Sequence, residues 1–110
     1  MRQQIVQLTA LLSILAIGGT AGATPSAERQ AQLLHLLKQD CGSCHGMTLK
    51  GGLGPALLPQ NLTGKPDAML IQTVLDGRPG TAMPPWRTML SHDEVRWLVD
   101  NLRKGVDDAP

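Results

Sequence analysis

The stretch Cys41-Gly42-Ser43-Cys44-His45 constrains this chain more than any other. Two thiols three residues apart, with a histidine directly behind the second, form the pattern by which haem is held covalently. Each Cys adds across one vinyl group, and the imidazole ligates the iron. The vinyls sit on neighbouring pyrroles, so two intervening residues let a single turn of chain reach both. A bare Cys-x-x-Cys would also suit a redox dithiol or half a zinc site. The chain contains 2 Cys in all, and His35 and His92 do not stand at zinc-finger spacing from them, so a tetrahedral zinc site lacks ligands. A thioredoxin-like dithiol needs a strand before it and a helix beginning at it, whereas here a helical pattern runs up to the motif and stops there. The expected cofactor is one haem c, attached through two thioethers at Cys41 and Cys44, with His45 as the first iron ligand.

The N-terminal stretch bears on compartment. Arg2 is a positive start, Leu8 to Ile17 is apolar apart from Thr9 and Ser13, and Ala21-Gly22-Ala23 is a small-x-small cleavage site. Crossing a bilayer takes about 20 apolar residues, and this run ends at Gly18-Gly19. Residues 1–23 therefore read as a secretory signal peptide, with an uncleaved anchor as the alternative. The expected destination is the periplasm, without stable membrane insertion after cleavage. Removing 23 of 110 residues leaves 87, room for one domain over 24–110. It holds no Phe or Tyr and only Trp86 and Trp97, so Leu must fill the core, packed on the haem. Loss of Arg2 takes the 10 basic residues to nine against 9 acidic ones. That balance argues against nucleic acid or an anionic membrane surface as partner and leaves periplasmic redox proteins; the expected state is a monomer.

Three helices are expected. Ser26 caps the first, which runs to about Gln39, with Leu33, Leu37 and Cys41 at i, i+4, i+8. His35 lies off that face and reads as a surface residue. From Gly46 to Gly64 the chain is rich in Gly and Pro and reads as a long loop, with Leu57, Leu58 and Leu62 turned inward and the Pro55 carbonyl as acceptor for the His45 Nδ1–H. The second helix spans Pro66 to Asp76, with Pro66 at its first position, Gly77 after its end, and Leu70, Ile71 and Val74 as its buried stripe. Ser91 and Glu94 form a capping box that opens the third, where Val95, Leu98, Val99 and Leu102 make one apolar stripe up to Gly105. Trp97 points away from that stripe, and the tail Val106 to Pro110 reads as frayed.

A second axial ligand is expected from Met, because a thioether favours ferrous iron. Met47 is tethered too close behind His45, Met69 is mid-helix, and Met89 falls just before the third helix. Met83 is left, in a turn stiffened by Pro84-Pro85. Trp86, directly after that turn, is placed to offer its indole N–H to a haem propionate.

Helix, Cys-x-x-Cys-His, Gly-Pro loop, short helix, Met-Pro-Pro loop and capped final helix together resemble the class I cytochromes c, over Thr24 to Gly105. The stretch from Cys44 to Pro55, CHGMTLKGGLGP, is similar to the small single-haem periplasmic cytochromes associated with the haem c/haem d nitrite reductase of denitrifying bacteria. The resemblance implies an all-α fold and electron delivery to that reductase or, alternatively, a part in maturing its haem d. A gas sensor with a labile Met83 is a further alternative. None of the first two roles requires catalysis by this chain. Many members lock their first and last helices with Gly and aromatics, where this chain has Leu33, Leu37 and Asn101, which implies a wider crossing.

Overall fold

The computed structural model describes residues 22–106, so most of the expected signal peptide and all but the first residue of the expected frayed tail lie outside the described residues. Among the described residues every regular element is helical. In chain order they are α1 (Ala27–Leu36), a π-helical turn (Leu37–Cys41), α2 (Gly42–His45), α3 (Pro59–Leu62), α4 (Asp67–Asp76) and α5 (His92–Lys104).

The first helix does not stop near Gln39. Its backbone passes from α1 through the π turn into α2 without a break, so Cys41, Cys44 and His45 are themselves helical. Ser26 caps it through Oγ, which accepts from the Arg29 N–H at 3.2 Å. Continuity was hidden because the apolar period fails at the motif. A π turn adds one residue to the ring closed by each hydrogen bond, here Gly42 N–H to the Leu37 carbonyl, and so breaks the 3.6-residue period.

The region read as one long loop contains α3, which α5 covers. The rest folds back on the end of α2: the Gly54 N–H donates to the Cys44 carbonyl at 2.7 Å and the Gly51 N–H to that of His45 at 2.8 Å. These bonds satisfy carbonyls that a helix end otherwise leaves to water. Leu49 is buried within this turn at φ 60, a conformation rare for a non-glycine residue. Pro66 is the cap of α4 rather than its first helical residue, because its ψ of 144° is extended while its carbonyl already accepts from Met69 and Leu70. The core face of α4 is Ile71 and Leu75; Leu70 and Val74 are half-buried.

On α5 the expected stripe is the buried one, and Val95 is fully enclosed. The capping box is formed in both directions: Ser91 Oγ accepts from the Glu94 N–H at 3.1 Å, and Glu94 Oε2 from the Ser91 N–H at 3.0 Å. α5 packs on α4, α3 and α1. On the side of α1 and the π turn Leu33 and Leu37 are buried in the core, and Arg29 Nε reaches Glu94 Oε1 at 2.6 Å. Arg103, on the last turn of α5, holds the chain between α3 and α4 by donating to the Leu62 carbonyl at 3.1 Å and to Asp67 at 2.6 Å. Trp97 does not stand free on the far face. It is half-buried against the edge of the core and shares a small cleft with Gly22 to Pro25, Asp93 and Asp100.

Candidate functional site

One large cavity, about 760 Å³, opens between α2, the Gly-Pro loop, α4 and the loop before α5. Cys41, Cys44, His45 and Met83 all line it, although Met83 is 38 residues beyond His45 in the chain. Its floor is apolar, with Leu37, Leu98, Val99 and Leu102 reaching it from the core and Leu57, Leu70 and Val74 closing its sides.

Each wall is set by local structure. The helical turn Cys41 to His45 brings both Cys side chains and the imidazole to one space, and the two Cys are not joined in a disulfide. Burial, aided by the Asp40 carboxylate and less strongly by Cys44, pushes the Cys41 thiol up to about 11. His45 Nδ1 lies 2.7 Å from the Pro55 carbonyl oxygen, which can only accept, so the Nδ1–H donates and Nε2 is the nitrogen with a free lone pair. Gly54 lies flat against the same ring: a Cβ there would sit 2.9 Å from Nδ1 and Cε1.

The far wall is the turn that presents Met83. Gly77, buried at φ 66, ends α4, and a Cβ on it would fall 2.7 Å from the Met83 carbonyl oxygen. Of the other Met residues, Met47 and Met89 do not line the cavity, whereas Met69 does, from an exposed position on α4. Trp86 lines it too and packs against the core; its backbone N–H is shared between the Val74 and Leu75 carbonyls at 3.1 Å each. His35 and His92 are exposed and away from the cavity. Sequence reasoning overlooked Gly77 as a packing residue and Arg103 as a clamp. The Gly after a helix was a visible signal; for Arg103 the sequence carried none.

An apolar slot with two thiols and a tethered imidazole on one wall and a thioether on another fits a flat apolar macrocycle with a central metal. Residues 28–102 match the family model described as cytochrome c oxidase, cbb3-type, subunit III. The chain is 62% identical over 87 residues to a cytochrome c55X of Pseudomonas aeruginosa, covering 79% of this chain and 73% of that one. A cytochrome c55X of Stutzerimonas stutzeri is 55% identical, over 87% of this chain and 85% of its own.

The chain belongs to the cytochrome c55X family of c-type cytochromes.

Among solved structures, a c-type cytochrome NirC is similar at TM-score 0.72 and 64% identity, over 73% of this cytochrome and 94% of that chain. The fold is thus that of a small all-α class I cytochrome; membership of this family implies binding of haem c, a group that the lining of the cavity fits. The cytochrome is also 40% identical to a dihydro-heme d1 dehydrogenase of Pseudomonas aeruginosa, over 87% of its own length but 19% of the dehydrogenase.

Proposed function

We propose that this cytochrome is a periplasmic single-haem carrier of one electron, that it delivers this electron to the nitrite reductase carrying haems c and d, and that it catalyses no reaction by itself. The reading rests above all on the convergence of Cys41, Cys44, His45 and Met83 on one apolar cavity. In it, residues 1–23 are removed on export, Cys41 and Cys44 would hold the haem through two thioethers, and His45 and Met83 would ligate its iron. Haem held there supplies a one-electron ferric–ferrous couple.

The chain's own residues perform the tuning. The Pro55 carbonyl accepts the Nδ1–H, which fixes the tautomer and orients Nε2 as a donor. Leu98 and Val99 keep water from the cavity floor. A neutral thioether at Met83 favours the reduced state. Kinship with cytochromes c55X and with a c-type cytochrome NirC supports the choice of partner.

Covalent attachment is tested by acid–acetone extraction of the periplasmic protein, which should leave the haem bound; Cys41→Ala with Cys44→Ala should bind none covalently. Donation is tested by rapid mixing of the reduced cytochrome with oxidised nitrite reductase. Oxidation on the timescale of turnover is expected.

A second reading has its own support, the similarity to dihydro-heme d1 dehydrogenase across most of this chain. The cytochrome would then exchange electrons during maturation of haem d. No oxidation by the reductase, together with reduction during turnover of that dehydrogenase, would select it.

A further inference from the structure

The turn carrying Met83 is joined across its neck by one side chain. The Thr81 hydroxyl donates to the Arg78 carbonyl at 2.7 Å and accepts from the Met83 N–H at 3.3 Å. The Arg78 N–H donates to the Met83 carbonyl at 3.2 Å, and the Thr81 N–H to the Arg78 carbonyl at 3.0 Å. Below them Gly77 lies against the Met83 and Pro84 backbone, and Trp86 is bonded to the end of α4. At the base of the turn Gly77 is buried and Trp86 half-buried, while the stretch from Arg78 to Ala82 is exposed. In that exposed part the hydroxyl is the group that ties the amide of Met83 to the chain five residues earlier.

A thioether is neutral and soft, so its hold on a metal depends on how little freedom its own backbone regains by leaving. We propose that Thr81 is a positioning residue for the Met83 sulfur, limiting the release of the thioether through its paired hydrogen bonds to Arg78 and Met83. The proposal rests on the reading of Met83 as an iron ligand and adds to it a residue of the same cavity wall that acts through the backbone of Met83. Trp86 and Gly77 fix where the turn starts and ends; Thr81 sets how firmly its tip is closed.

Thr81→Val keeps the size and β-branching and removes both hydrogen bonds. Exogenous imidazole, titrated into the ferric holoprotein, competes with Met83 for the iron, so its apparent affinity reads the closure of the turn. Losing an exposed hydrogen-bonded pair corresponds to about a threefold shift. Imidazole should thus bind about threefold tighter in Thr81→Val and in Thr81→Ala, and as in the native protein in Thr81→Ser, which restores the hydroxyl. Thr63→Val removes a hydroxyl that donates to the Pro59 carbonyl outside the cavity and should change nothing. Equal affinity in the native and Thr81→Val proteins, or failure of Ser to restore it, overturns the positioning role. A native ferric protein without the near-infrared sulfur-to-iron band overturns the Met83 assignment itself, and the role with it.

Discussion

His45 Nδ1 stands 2.7 Å from the carbonyl oxygen of Pro55, ten residues further along the chain, and Gly54 covers the imidazole between them. No substitution removes a backbone carbonyl, but the covering glycine can be changed. In an open loop Gly→Ala is neutral or mildly stabilising, because it restricts the unfolded chain. At Gly54 the added Cβ must displace the ring, so Gly54→Ala should lower the yield of holoprotein several-fold and alter its Soret and near-infrared spectra. Native yield and spectra would show that the ring does not need this close cover.

Met69 and Met83 line the same cavity, which makes the sulfur ligand a matter for direct comparison. Met83→Ala should abolish the sulfur-to-iron charge-transfer band and open the reduced protein to carbon monoxide. Met69→Leu should leave both properties unchanged. The reverse pattern would transfer the ligand to α4, and ready carbon monoxide binding by the native protein would favour a gas sensor.

Glu94 serves two elements, closing the capping box of α5 and pairing with Arg29 of α1. The Arg29 guanidinium, with the Ser91 amide second, holds its carboxyl below the ordinary 4.5. A carboxylate lowered on folding stabilises the protein above its unfolded pKa, and that stability is lost as pH falls through the folded value. Glu94→Ala should cost about 1 kcal/mol at neutral pH, or roughly 4–8 °C in Tm, through loss of the bond from the Ser91 N–H and of the Arg29 pair. The gap between the two proteins should narrow as the pH falls below 4.5. A difference that persists unchanged in acid would assign the loss to packing instead.

Around the motif and the cavity mouth Met47 and Leu53 are exposed, Leu53 at 81%. On the proposed reading, removal of residues 1–23 leaves the charge balanced, long-range attraction to a partner is small, and recognition falls to this apolar surface. Met47→Lys or Leu53→Lys should slow electron transfer to the nitrite reductase without changing the haem spectrum. The native rate should vary only modestly with salt. A steep fall in rate with added salt would point to a charged patch, with Lys38, Lys50 and Lys65 as its candidates.

The local features of this protein were legible in its sequence because their causes are local. Ser91 and Glu94 sit three residues apart, as a capping box requires, and Val95, Leu98, Val99 and Leu102 repeat at the helical period, so α5 and its buried face follow from short-range chemistry. The Cys-x-x-Cys-His spacing and the Pro55 carbonyl lie within fifteen residues, close enough for turn geometry to relate them. What only the tertiary structure decided involves residues far apart or a change of period. The π turn removes the 3.6-residue repeat on which helix reading depends, so the helix carries on through the motif unseen. What Trp97 packs on was not legible because its neighbours, Gly22 to Pro25, reach it from about seventy residues away. Gly77 read as a helix stop, and its second use, letting the Met83 backbone lie against it, exists only once the turn has folded back. Periodicity reports which face of an element is apolar; it carries no information about which distant segment arrives to cover that face, and that is set when the whole chain packs.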